Sequence, residues 1–205
     1  MQELKNKIIA CAHLHFLRGG IKWLDLDHIA NDCGVSRKTL RHCFKRNELI
    51  DALIKSKLET YQQSLAVIEL DQLEPLEEMT KILSFITQLG CDFSPIFLRD
   101  LKRYFPENWA LMASFSTGSL KKVFMGNLTA GIQKGIYRKA IHVELLTDVY
   151  FTTTLALIER ESLPFQSGSS NKSILEMNEN FIAGLRSYSH LLTRSTNKVL
   201  PFRRR

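Results

Sequence analysis

The stretch LDHIANDCGVSRKTLRHCF, Leu26 to Phe44, decides the fold. Two short segments with helical apolar spacing flank a Gly-Val-Ser break, and the second is loaded with Arg, Lys and His. Asp25 stands where it can cap a helix over Leu26–Cys33, and Ser36 where it can cap one over Arg37–Cys43. Their side-chain oxygens accept from the N–H groups that a first helical turn leaves free. Two helices joined by so short a turn meet at a steep angle. The closest approach demands a small residue, which is Ala30, with Ile29 and Cys33 beside it. The turn demands a residue tolerant of positive φ, which is Gly34. Val35 and Leu40 fill the angle, and Cys43 or Phe44 closes its base. Seven positions meet one packing requirement together, a far more specific signal than a lone glycine.

With those residues inward, the opposite face of the second helix shows Arg37, Lys38, Arg41, His42 and Lys45. A charge cluster is ordinarily just a solvated face. Here the inward positions fit as well, and the face has the chemistry to meet a DNA major groove. Ser36 and the helix N-terminus add N–H groups and a positive dipole end for a phosphate.

Charge supports that reading. The 205-residue chain carries a net +7 with a pI near 9.3, a balance that favours polyanionic partners. Residues 1–60 hold eleven Lys/Arg against seven Asp/Glu, residues 61–197 thirteen against fourteen, and the last eight add four cations. The excess at the two ends predicts a basic helix-turn-helix module over 1–46, a body over 47–197 entered through a connecting helix 47–70, and a basic tail over 198–205.

Periodicity predicts helices almost everywhere. Leu4, Ile8, Ala12 and Phe16 mark the first, which Gly19-Gly20 ends. Asn47 starts a helix with Ile50, Leu53, Ile54, Leu58 and Tyr61 on one side. Leu76, Met79, Leu83, Ile86 and Leu89 form the next stripe, ended by Gly90. Ser94-Pro95 opens a helix to Tyr104. Pro106 opens another that runs toward Lys134, with Gly118, Gly126 and Gly131 as points of bending. Two more follow, near His142–Arg160 and Ser173–Arg194, separated by a PFQSGSSN loop. The fold class is all-α.

Residues 4–54 resemble the N-terminal domain of the TetR family of bacterial transcriptional regulators. The likeness is carried by Ile8, Ala12, Phe16 and Gly20, by DLDHIANDCGVSRKTLRHCF, and by KRNELI leading into a long helix. It implies a three-helix DNA-binding domain followed by a larger helical ligand-binding and dimerisation domain. On that basis Arg37, Lys38, Thr39 and His42 are expected at base edges, and Lys22, Ser36, Arg41 and Lys45 at phosphates. Three positions depart from the family pattern: Arg41 replaces a Tyr, Asp25 a Thr and Asn47 a Lys. Arg41 can make the same phosphate contact as a charge-assisted hydrogen bond. The implied function is an operator-binding repressor released by a small-molecule effector, its partners a palindromic duplex and a second copy of the chain. A different class, a helical small-molecule or protein-interaction module with degenerate DNA binding, is the alternative.

The body holds nine of the twelve Phe, between Phe85 and Phe181. An apolar effector site would draw on Phe85, Phe97, Phe105, Trp109, Met112, Phe124 and Tyr150, although aromatic stripes at helical spacing are more often plain core. The run Phe97–Trp109, with Arg99, Asp100, Lys102 and Arg103, reads as an amphipathic surface helix. Leu145/Val149/Thr152/Ala156 and Phe181/Gly184/Leu185/Leu191 are the stripes expected to pair with a two-fold mate. Catalysis is not expected: no Gly-rich phosphate loop, GxSxG or HExxH occurs. Nor is a cofactor or a metal expected, since no Cys/His set has ligand spacing. Cys33 and Cys43 read as small buried hydrophobes. No apolar run reaches membrane-spanning length, so a cytoplasmic protein is expected.

Overall fold

The computed structural model describes residues 1–22, 25–160 and 170–186. Ten α-helices occupy them: α1 (Gln2–Gly19), α2 (Leu26–Cys33), α3 (Arg37–Cys43), α4 (Arg46–Leu70), α5 (Pro75–Cys91), α6 (Pro95–Tyr104), α7 (Pro106–Phe115), α8 (Lys121–Gln133), α9 (Val143–Arg160) and α10 (Ser170–Leu185). A π-helical turn, Ser116–Leu120, joins α7 to α8. Among the described residues the only β-type pairing is an isolated Tyr137–Arg186 bridge.

The start signals act as anticipated. Asp25 accepts from the Asp27 N–H, Ser36 from Thr39 and Ser94 from Phe97. Gly34 ends α2 at φ +66°, and the Val35 N–H reaches back to the Ala30 carbonyl at 2.9 Å, the bond pattern that closes a helix on a left-handed residue. Ile8, Ala12 and Phe16 of α1 meet Ile29, Ala30, Cys33, Leu40 and Phe44 in a core that excludes water almost completely. Burial and the neighbouring Cys11 push the Cys33 thiol up to about 12, so it stays protonated and poorly nucleophilic.

Three boundaries differ from the sequence reading. Gly90 does not stop α5; it lies inside the helix where α9 comes close, and a Cβ there would stand 3.3 Å from Ile158 Cδ1. The helix from Pro106 does not bend at Gly126 or Gly131 but takes an extra residue at the π turn around Gly118. Ser170 and Asn171, read as loop, belong to α10. The rest of that loop, Leu191 and the basic tail lie outside the described residues.

α4 runs without a break from the helix-turn-helix into the body, where it packs on α5 and α7. Behind it α5, α8, α9 and α10 form a bundle, and α6 bridges α1 to α7 and α9. Phe124, Tyr150, Phe151 and Phe181 stack as one aromatic block in that bundle, with centroids 4.9–5.8 Å apart. Asn178 fixes its register: it accepts from the Tyr150 hydroxyl at 2.8 Å and donates to Thr87 Oγ1 at 3.0 Å.

A second buried network closes the far end. Tyr137 places its hydroxyl 2.6 Å from the Pro75 carbonyl and 2.9 Å from Asn127 Oδ1, with the one proton shared between the two acceptors. Its ring lies flat on Gly131, so a Cβ there would come within 2.1 Å of Tyr137 Cδ2. Gly131→Ala is therefore expected to force the fully buried ring out of register and cost about 2 kcal/mol of stability. Denaturant unfolding would show it directly, and a loss below ~0.5 kcal/mol would mean that the ring moves freely.

Candidate DNA-facing helix and effector cavity

The recognition surface is built from a helix of only seven residues whose inner side is fully used. Leu40 and Cys43 are buried, while Arg37, Lys38, Arg41 and His42, and Lys45 just beyond, are exposed; Thr39 is half-buried. One acid pairs with a cation of α3 itself. Arg37 Nη2 lies 2.5 Å from Asp27 Oδ2, an ion pair between the first turns of α3 and α2. Arg41, Lys38 and His42 have no ion-pair partner among the described residues. The Ser36 hydroxyl, expected at a phosphate, is held as a cap by Thr39 N at 3.0 Å and by Thr39 Oγ1 at 2.8 Å. The Lys45 N–H is closed by Glu48 at 2.8 Å, and Glu48 also stands 3.9 Å from Lys45 Nζ. Lys22 is exposed on the turn after α1.

That turn is gripped from two sides. Asp100 Oδ2, on the buried face of α6, accepts from the Ile21 N–H at 2.9 Å and the Lys22 N–H at 3.0 Å. Arg46, the first residue of α4, donates from Nη2 to the carbonyls of Ile21 and Lys22, at 2.5 and 2.9 Å. Gly20 makes the approach feasible, because a Cβ there would lie 2.5 Å from Ile96 Cγ2. The end of α1 docks alongside: Phe16 packs on Phe97 at 5.3 Å, and Ser94 Oγ donates to the Phe16 carbonyl at 3.2 Å. The sequence reading grouped Asp100 with the solvated charges of α6. Its spacing from Phe97 and Leu101 was the available signal, since it places an acid on the apolar side.

A cavity of about 320 Å³ opens in the body, walled by α4, α5, α6, α7, the π turn and α9. That is near the lower end of small-molecule sites. Trp109 and Met112 of the expected set line it, joined by Tyr61, Phe93, Phe115 and Phe151. The other five lie elsewhere. Phe97 is buried against α1, Phe124 and Tyr150 sit in the aromatic block, Phe85 meets the far side of Tyr61 at 6.0 Å, and Phe105 ends α6. Large rings packed on several sides are core; the cavity falls where helix ends and small residues leave space.

Two wall residues reach the helix-turn-helix. Phe93 stacks on Phe97 at 4.8 Å and meets His13 of α1 edge-on at 5.7 Å. The Tyr61 hydroxyl donates to Asp92 Oδ2 at 2.7 Å, while the Asp92 carbonyl lies 2.6 Å from His13 Nε2. Burial alone would raise the Asp92 carboxyl; hydrogen bonds from Tyr61, Gln88 and Lys57 outweigh it and hold the group below the usual carboxylate range. A depressed folded value stabilises the protein above about pH 4 and is lost as pH falls through it. Asp92→Asn is accordingly expected to flatten the decline of stability below about pH 4. An unaltered acid limb in denaturation curves would remove Asp92 from that account.

A three-helix module carrying a helix-turn-helix, joined by one long helix to a helical body, is the fold of the TetR-family transcriptional regulators, and the chain has that fold. A TetR-family regulator from Agrobacterium tumefaciens superposes with a TM-score of 0.71 at 16% identity, over 91% of this chain and 99% of that one. The ketosteroid regulator KstR2 of Mycobacterium tuberculosis gives 0.63 at 17% identity, covering 89% and 95%. FadR of Bacillus subtilis, solved with stearoyl-CoA, gives 0.59 at 17%, covering 88% and 99%. These neighbours are transcriptional regulators rather than enzymes. No family model and no curated protein sequence matches the chain. Among the described residues no group of three or more His, Cys, Asp or Glu is placed to hold a metal, and no helix is long and apolar enough to cross a membrane.

Proposed function

We propose that the chain is a sequence-specific DNA-binding transcriptional regulator, a repressor whose grip on its operator is released by a small molecule in the body. It acts by binding alone, as a homodimer in the bacterial cytoplasm, and divides functionally into the module 1–46 and the body 47–197. The observation that carries this reading is the exposed cationic face of α3, presented by a helix-turn-helix whose inner residues are all packed. Arg37, Lys38, Thr39 and His42 meet base edges; Arg41, Lys45, Lys22 and the N–H groups at Ser36 meet phosphates. The dimer forms through α9, where Leu145, Val149 and Ala156 are exposed, while Thr152, expected with them, lines the cavity mouth instead. Phe181 and Leu185, expected in that interface, turn inward instead.

Release follows from the connections between cavity and module. A molecule that displaces Phe93, Tyr61 or Leu98 moves α6 and the end of α5, and with them the turn held by Asp100 and Arg46. Two recognition helices must sit about 34–36 Å apart to enter successive major grooves. A shift in that spacing weakens DNA binding without touching a base.

The test is selection of bound sequences from a random duplex pool by the full-length protein. A palindrome with half-sites about 10 base pairs apart is the expected product, with affinity that falls steeply with salt. Arg41 in place of a Tyr and Asn47 in place of a Lys favour the alternative, a module whose DNA contacts have degenerated. Weak binding without an enriched sequence would establish that alternative.

A further inference from the structure

The cavity's lining restricts what it can hold, a step that rests on the effector reading above. None of its nineteen lining residues is Lys, Arg, His, Asp, Glu, Asn or Gln. Nearby ions are engaged elsewhere: Lys57 pairs with Asp92 behind Tyr61 at 3.1 Å, and Lys102 lies over the Trp109 ring at 5.5 Å. An ionised group enclosed there would lose its hydration with no partner in return.

Five lining residues carry a hydroxyl. Tyr61 gives its proton to Asp92, Thr117 to the Ala113 carbonyl and Thr154 to the Tyr150 carbonyl. The hydroxyls of Ser116, half-buried, and Thr152, exposed at the rim, make no hydrogen bond among the described residues. Ser116 also opens the π turn, a backbone irregularity that recurs at functional sites. A volume of about 320 Å³, at about 30 Å³ of liquid per water-sized group, admits on the order of ten heavy atoms.

We propose that the cavity takes an uncharged, mainly hydrocarbon molecule of that size carrying one oxygen function, a hydroxyl or carbonyl held by Ser116 and Thr152, and that it disfavours carboxylates and rejects coenzyme A thioesters. The pairing of tail and head follows from the wall. The aromatic and aliphatic side chains supply burial, while two free donors match one neutral acceptor and leave an anion underpaid in charge.

Calorimetric titration of the full-length, DNA-free protein with decan-1-ol, decanoate and decanoyl-coenzyme A compares three head groups on one tail. Above pH 7, decan-1-ol is expected to bind about tenfold more tightly than decanoate, whose head loses only part of its hydration beside Thr152 at the rim, and decanoyl-coenzyme A is excluded by size as well as charge. Ser116→Ala with Thr152→Val is expected to weaken decan-1-ol about tenfold, and Ala113→Trp, which fills the cavity, to abolish binding, all at wild-type Tm. Comparable binding of decanoate or the thioester, no binding of decan-1-ol, or undiminished affinity in the double variant overturns the assignment. The regulator reading fails separately: a protein that takes decan-1-ol yet selects no DNA sequence keeps this assignment and loses that one.

Discussion

Replacing Arg37 and Arg41 together with alanine is expected to weaken operator binding at physiological salt by about 3 kcal/mol, a loss of more than a hundredfold. The two side chains contribute differently. Arg41 is exposed and unpaired on the outer face of α3, where it serves the backbone as a charge-assisted donor. Its removal alone should weaken all sequences alike and lower the salt slope by about 0.9. Arg37 begins the helix and is aimed by Asp27 at 2.5 Å. An arginine already oriented loses less side-chain freedom on meeting a guanine edge, so Arg37→Ala should relax selectivity at one position of each half-site. Neither residue contributes to the core, so far-ultraviolet circular dichroism and Tm should stay at wild-type values. Selection repeated with each single variant reads both effects. An unchanged operator affinity in the double variant would mean that α3 does not face the groove.

What could be read in the chain beforehand follows from how local each cause is. The helix-turn-helix was legible because Asp25, Ser36, Gly34, Ala30 and Leu40 each act on neighbours a few residues away. Caps, a left-handed turn and a close helix crossing are all short-range demands, and the structure meets them with the residues that the pattern named. Gly90 and Gly131 were misread for the opposite reason. A glycine inside a helix looks like a break until the partner that needs its missing Cβ is known, and those partners, Ile158 and Tyr137, are supplied by tertiary packing. The same limit governed the cavity. Large aromatic residues identify the interior, but whether a ring fills space or borders it depends on neighbours far along the chain. Trp109 and Met112 border the cavity, whereas Phe124 and Tyr150 are stacked on all sides. Arg46 and Asp100 escaped notice as two more surface charges, since nothing local shows that both reach the same turn.

Asp100→Ala is the substitution expected to damage the connection between module and body most, at about 3 kcal/mol. Its carboxyl oxygen is the shared acceptor for two consecutive backbone N–H groups, those of Ile21 and Lys22, and the residue is 95% removed from solvent. Alanine would leave both donors without an acceptor in a site that water reaches poorly, and each such group costs about 1–3 kcal/mol. Arg46 would still hold the carbonyls of the turn from the opposite side, so the chain should fold, with the turn held on one flank. The module would then melt before the body. In a Trp23→Phe background, which leaves Trp109 as the one tryptophan, unfolding followed by fluorescence reports on the cavity wall and should no longer coincide with unfolding followed by circular dichroism, which reports on every helix. Asp100→Asn keeps an oxygen for one of the two N–H groups and is expected to lose only about 1 kcal/mol, with the two transitions still together. The same pair separates structure from regulation: with Asp100→Ala, operator affinity should respond less to whatever fills the cavity, because α6 no longer grips the turn. A midpoint within ~0.5 kcal/mol of wild type would show that the turn is held by Arg46 alone.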